Sequence, residues 1–209
     1  MSLLLQNGSM SSSRLVVGVS GASGGIYAQR FLRVVAKLYD EIYLILSDQA
    51  AQVAATELNV TIDRRNFSTM EWLGEELSNI RLCGDRDYFT PPASGSFRHG
   101  GMVIVPCSMG AIGRIANGIS DNLLSRAADV CLKERRKLIL VPREMPYNLV
   151  MLKNMTALCE AGATILPASP AWYQRPSNLE ELADTVVGRI LQNLGIEQSI
   201  TPQWMVNEK

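Results

Sequence analysis

The sequence predicts an α/β fold: a doubly wound, mostly parallel sheet in a three-layer α/β/α arrangement. Two observations carry this expectation. From Arg14 onward, short β-branched runs alternate with helical patterns, the signature of successive βαβ units. The turn after the first run, Ser20-Gly21-Ala22-Ser23-Gly24-Gly25, leads straight from a strand into a helical pattern, as such sheets do where they meet ligands. No repeat, heptad or composition break marks a second domain, so residues 14–209 read as one domain after a disordered leader over 1–13.

The expected strands are RLVVGV, EIYLIL, MVIVP, KLILV and ATIL, in that order along the chain. Between the first two, Tyr27, Phe31, Val34 or Val35, and Leu38 recur at helical spacing and predict a crossover helix over 25–38. Similar patterns predict helices over 48–58, 121–135, 148–161 and 178–194. The last begins with Ser177-Asn178-Leu179-Glu180 as a capping box and ends at Gly195. The stretch 59–100 has no strand of length and holds the turn-rich TPPASGSFRHGG, so it reads as a long excursion from the sheet.

At 209 residues, 47% of them hydrophobic, the chain can bury a sizeable core. Lysine plus arginine balance aspartate plus glutamate at 20 each, so no overall basic field points to nucleic acid or an anionic membrane. The start of the chain is too short in apolar residues for a signal peptide or a membrane span. Cys83, Cys107, Cys131 and Cys159 lack metal-site or CxxC spacing and read as buried thiols in a reducing, cytoplasmic setting.

Ligands of open α/β sheets bind beyond the carboxyl ends of the strands. There the sequence places the glycine turn, Ser47-Asp48, Pro106-Cys107-Ser108-Met109-Gly110, Pro142-Arg143-Glu144-Met145-Pro146, and the segment from Pro167 to Pro176. This set suits a phosphate attached to a polar ring system. The glycine turn lacks the ending of a P-loop and the G-x-G-x-x-G pattern, which favours a mononucleotide such as FMN over ATP or NAD, with a plain tight turn as the alternative. Ser47 reads as a helix N-cap, a role compatible with ligand contact. Arg126, Asp129 and Lys133 share one helical stripe, either a solvated ion-pair row or a phosphate-facing cation pair. Arg143-Glu144 is stiffened by the prolines around it. His99, the one histidine, is expected to be exposed, and supports neither a triad nor a metal centre. Trp72, Trp172 and Trp204 read as packing residues or as stacking candidates, Trp172 first among them.

Taken in order, VGVSGASGGIYAQR, ILSDQA, ATE, PPASGS, MVIVPCSMG, SRAADVCLKERR, LVPREMP, GATILPASPAWYQRP and VGRILQNLG resemble the UbiX/Pad-type flavin prenyltransferases from about residue 14 to 204. The resemblance implies a Rossmann-like flavoprotein domain in a dodecamer, with FMN lying across subunit boundaries. Gly21, Ala22, Ser23, Ser47, Ser108, Met109, Gly110, Ala111 and Arg143 would hold FMN. Ser94, Arg126, Lys133, Tyr173 and Arg189 would hold the phosphate of dimethylallyl monophosphate. Glu57 and Glu144 would handle protons, with Ser23 and Lys133 completing the catalytic set. The implied reaction is metal-free: it joins the prenyl group to N5 and C6 of reduced FMN, releases phosphate, and serves a UbiD-type decarboxylase. Lys137 and Trp172 depart from the common family pattern, where proline and phenylalanine stand. The rival within the fold is an FMN-dependent cysteine decarboxylase, for which His99 is the sole histidine available. A flavin-binding partner protein without catalysis is a third reading, and the intact cluster of Arg126, Lys133, Glu144, Tyr173 and Arg189 weighs against it.

Overall fold

The computed structural model describes residues 13–202. The expected leader, apart from Ser13, and Trp204 lie outside the described residues. Ser13 itself is tied to the sheet, its carbonyl accepting from Asp40 N at 2.9 Å and Glu41 N at 3.2 Å.

Six parallel strands form the sheet: β1 (Arg14–Val19), β2 (Glu41–Leu46), β3 (Ile80–Cys83), β4 (Met102–Cys107), β5 (Leu138–Pro142) and β6 (Thr164–Ile165), in the order β3-β2-β1-β4-β5-β6. The helices are α1 (Gly25–Val35), α2 (Asp48–Leu58), α3 (Thr69–Leu73), α4 (Met109–Ala116), α5 (Leu123–Lys133), α6 (Leu149–Glu160) and α7 (Leu179–Leu194). Leu15, Val17, Leu44, Val103 and Ile139 bury on one face against α1, α3 and α7 through Phe31, Leu32, Trp72 and Val187. Val16, Ile45, Ile104 and Leu140 bury on the other face against α4, α5 and α6 through Ile112, Leu124 and Leu158. Alternate residues of one strand therefore serve two cores, which explains why the strands read as unbroken apolar runs. Arg30 of α1 makes a forked contact with Asp184 of α7, at 2.9 and 2.6 Å, and reaches Glu180 at 2.8 Å, fixing these two helices together.

The predicted strands all form, and three elements are additional. The excursion over 59–100 contains β3 and the short α3, and the turn-like Ser108-Met109-Gly110 opens α4. The helix expected over 25–38 stops at Val35, because Lys37 and Leu38 bond back to Val34 and Val35 in a tighter turn and Leu38 is half exposed. The capping box of α7 sits one residue later than its sequence reading. Asn178 is the N-cap and accepts from Glu181 N at 2.8 Å, while Glu181 accepts from Ser177 N at 2.8 Å. Two burial expectations are corrected as well. His99 is buried, stacked on Phe97, with Nδ1 2.9 Å from the Gly101 carbonyl, and Cys159 is exposed while Cys83, Cys107 and Cys131 are buried.

Candidate functional site

Strand order sets the location of the site. The chain runs outward from β1 through β2 to β3, then returns to β4 and runs the other way through β5 to β6, so the crevice of such a sheet opens between β1 and β4 at their carboxyl ends. Buried Ser20 ties those two ends together: its Oγ donates to the Pro106 carbonyl at 3.1 Å and accepts from Ser108 N at 2.7 Å. Beside it lies a cavity of about 310 Å3 lined by Ser20, Gly21, Ser47, Gln49, Asp85, Ser108, Ala111, Arg114, Asn122, Leu124 and Ser125.

Three helices begin at this cavity, each with a polar cap. Ser47 accepts from Ala50 N at 3.1 Å, Ser108 from Ala111 N at 3.3 Å, and Asn122 from Ser125 N at 2.8 Å. Helix N-termini carry partial positive charge and spare amides, so their convergence favours an anion such as a phosphate. The hydroxyl and amide side chains between them suit a polyol. That donor set fits a flavin mononucleotide.

Of the residues expected to hold FMN, Gly21, Ser47, Ser108 and Ala111 line the cavity. Ala22 and Met109, their neighbours along the chain, are buried and do not line it. Ser23 and Gly24 continue the turn, and the Ser23 carbonyl accepts from Arg143 Nε at 3.2 Å. Gly110 follows the α4 cap and accepts on its carbonyl from Arg114. Gln49, Asp85, Arg114, Asn122, Leu124 and Ser125 had no role in the sequence reading. Asn122 and Ser125 carried a detectable signal, a capping residue before an apolar helical run.

Glu57 closes the glycine turn. Its carboxylate accepts from Gly24 N at 2.9 Å and Gly25 N at 2.8 Å, and Gly24 occupies left-handed backbone at φ 108° that only glycine adopts readily. Partial burial pushes the Glu57 carboxyl up, but the Ser23 hydroxyl, the two amides and the Arg143 charge together hold it below the ordinary carboxylate range. Glu57 is thus an ionised cap on α1 at rest. A depressed folded-state pKa contributes stability above the ordinary carboxylate value, lost as pH falls through the lowered one. Glu57→Gln should accordingly cost on the order of 1 kcal/mol at neutral pH, a deficit that shrinks as denaturant titrations are taken below the usual carboxylate range and is gone once the pH is below the lowered Glu57 value. A deficit independent of pH would show that the charge contributes nothing.

The residues expected to hold a prenyl phosphate fall into two groups. Ser94 follows the 3-10 turn Pro91–Ala93, whose Ala93 carbonyl accepts from Arg126 Nε at 3.2 Å. Arg126 also pairs with Asp129 at 3.2 Å, and Lys133 with Glu134 at 2.5 Å. A Cβ built on Gly95 would lie 2.8 Å from Lys133 Nζ, so the lysine lies over the Ser94-Gly95 loop. Arg189 instead projects from α7, with Nη1 2.6 Å from Gln192 Oε1, and lines a hollow of about 370 Å3 with Leu166 and Ser169. Tyr173 is exposed in the 3-10 turn Trp172–Gln174 that precedes α7. Helices α5 and α7 cover opposite faces of the sheet, so one chain does not bring the two groups together. Glu144 accepts from Met145 N at 3.0 Å in the stiff turn after β5.

His99 lies before β4, at the end of the sheet away from the cavity. Burial lowers its pKa, with the Arg136 charge adding to that and the Gly101 contact opposing it, so the ring is neutral near pH 7. Burial likewise pushes the Cys131 thiol up to about 12. Among the described residues, no three His, Cys, Asp or Glu side chains gather as a metal site, and no helix is long and apolar enough to cross a membrane.

Comparison with known proteins decides the family. The model of the Flavoprotein family matches residues 4–199. Flavin prenyltransferase UbiX of Pseudomonas aeruginosa is 43% identical over 195 residues, spanning 91% of this chain and 93% of its own length. The UbiX of Methanocaldococcus jannaschii is 41% identical over 91% of this chain and 98% of its own. The chain belongs to the UbiX flavin prenyltransferase family. Among solved UbiX structures, AnUbiX (PadA1) in complex with FMN and dimethylallyl pyrophosphate superposes with a TM-score of 0.83 at 35% identity, covering 93% of this chain and 98% of that one. A dodecameric FMN-dependent UbiX-like decarboxylase from Escherichia coli O157:H7 gives 0.81 at 35% identity, over 92% and 99% of the two chains. Epidermin biosynthesis protein EpiD of Staphylococcus aureus, at 22% identity and a TM-score of 0.53 over 76% of this chain and 84% of its own, shares the fold alone.

Proposed function

We propose that this protein is a flavin prenyltransferase that moves the dimethylallyl group of dimethylallyl monophosphate onto reduced FMN, at N5 and C6, with release of phosphate. The observation that carries this reading is the switch-point cavity, ringed by three helix N-termini, in a chain of the UbiX family. The flavin, when bound, supplies the nucleophile.

The chain's own residues would do the rest. Gly21, Ala22, Ser23, Ser47, the turn from Ser108 to Ala111, and Arg143 bind and orient the flavin. A phosphate leaves readily only if cations and a proton donor stabilise the charge that develops on it. Ser94, Arg126 and Lys133 supply one part of that set, Tyr173 and Arg189 the other, and Glu144 the proton. Glu57 and Ser23 fix the turn beside the flavin. Since Arg126 and Arg189 lie on opposite layers, the complete phosphate site requires neighbouring copies, which supports a homo-oligomer of the dodecameric kind. The product serves a UbiD-type decarboxylase. The setting is the cytoplasm, in keeping with free thiols at Cys83, Cys107, Cys131 and Cys159. Cysteine decarboxylation loses support because buried, neutral His99 faces away from the cavity.

The test is to mix the protein anaerobically with reduced FMN and dimethylallyl phosphate and to weigh the released flavin. It should gain the mass of one prenyl unit as phosphate appears. An unchanged flavin mass under these conditions would remove the reading.

A further inference from the structure

The wall of the switch-point cavity carries one cationic side chain among the described residues that line it, Arg114 of α4. None of the family motifs quoted above assigns it a role. Long side chains on a helix lean back over the preceding turn, and Arg114 does so: Nη1 reaches the Gly110 carbonyl at 3.2 Å, and Nε is held by Asp121 Oδ2 at 3.3 Å. Its guanidinium is thereby parked over the first turn of its own helix, next to the Ser108 cap. Among the described residues, Nη2 has no hydrogen-bond partner.

A positive charge over a helix N-terminus opposes the helix dipole. The exposed pair with Asp121 offsets little of that, since both side chains are about half exposed. The arrangement becomes favourable once an anion enters, because the guanidinium and the helix amides then face the same charge. Asp85, the one carboxylate on the same wall among the described residues, would otherwise repel that anion. The guanidinium lies close over this turn: a Cβ at Gly110 would sit 3.5 Å from Arg114 Nη1 and 3.9 Å from Ser108 Oγ.

We propose that Arg114 binds the phosphate of FMN directly and makes the cavity select phosphorylated flavin over riboflavin. This rests on the flavin reading given above. Oxidised FMN and riboflavin are titrated separately against the intact protein, Arg114→Gln and Arg114→Lys, following quenching of flavin fluorescence. The wild-type protein should prefer FMN. Arg114→Gln should weaken FMN binding by about 10- to 100-fold, the loss of a charge-assisted hydrogen bond, and leave riboflavin binding as it was. Arg114→Lys should recover part of the preference, since lysine keeps the charge but not the fork. Raising the salt concentration should erode the preference of the wild type more than that of the glutamine variant. An Arg114→Gln protein that keeps the wild-type ratio of affinities, or that weakens both flavins equally, overturns the inference and leaves the flavin site standing. A wild-type protein that binds neither flavin overturns the flavin reading and this inference with it.

Discussion

Gly21→Val is expected to abolish flavin binding while the protein still folds. A Cβ at position 21 would lie 2.4 Å from Cβ of Gln49, and neither atom is the end of a flexible side chain. Either the glycine turn or the start of α2 must move. Both are walls of the cavity, and Ser47, which caps α2, moves with them. Moving either wall breaks flavin contacts on that side, so FMN affinity should fall by at least about 100-fold, the loss of two or more hydrogen bonds at about 1.5 kcal/mol each. The overpacking should cost about 1–3 kcal/mol of stability, a drop of roughly 2–4 °C in Tm per kcal/mol for a chain of this size. Gly113→Ala is the control, since a Cβ there meets Asn154 only at 3.5 Å. FMN titration and thermal melts of the two variants decide the matter: full affinity in Gly21→Val would show that the turn does not bound the flavin site.

Glu144→Gln is expected to slow prenyl transfer by about 100- to 10,000-fold, the range for removing a general acid, with FMN affinity little changed. The carboxyl sits in a turn stiffened by Pro142 and Pro146, and its Oε1 accepts from Met145 N at 3.0 Å. The preceding Arg143 is anchored to the Ser23 carbonyl at 3.2 Å, so this turn is tied to the glycine turn across the sheet edge. Glutamine keeps the volume and the acceptor towards Met145, and removes the ionisable carboxyl that proton transfer would need. Single-turnover measurements with reduced FMN held anaerobically separate that step from binding. Equal rates in the two proteins would take Glu144 out of the mechanism.

β1, β2, β4 and β5 were legible in the sequence because each lies between two cores and reads as a continuous apolar run, and the short edge strand β6 was legible from the apolar ATIL segment. β3 was not, for the same physical reason in reverse: a four-residue edge strand with Arg81 turned outward leaves neither a run nor a clear alternation. α4 was hidden by Gly110 and Gly113, poor helix formers that make Met109–Ala116 look like a turn, although Ile112 and Ile115 bury. The burial of His99 was not legible because its glycine neighbours suggest a solvated loop, whereas Phe97 and Cys131 enclose the ring. At the site, Gly21, Ser47 and Ser108 were readable because they follow strands directly. Gln49 and Arg114 lie within helices, where a polar residue looks like any solvated one. Asp85 follows the strand that went unread. The roles of Glu57 and Arg189 came from the resemblance alone, since nothing local distinguishes an exposed helix glutamate or arginine.

The separation of Arg126 and Arg189 onto opposite layers of the chain has a genetic counterpart. If each working site takes one half from each of two copies, Arg126→Ala damages one kind of half and Arg189→Ala the other. Each variant alone should be inert, because every site in a uniform assembly carries the same lesion. When the two are unfolded, mixed and reassembled, some sites should draw both healthy halves and recover prenyl transfer, as defective alleles rescue one another in trans. A protein whose site lay within a single chain would show no such rescue.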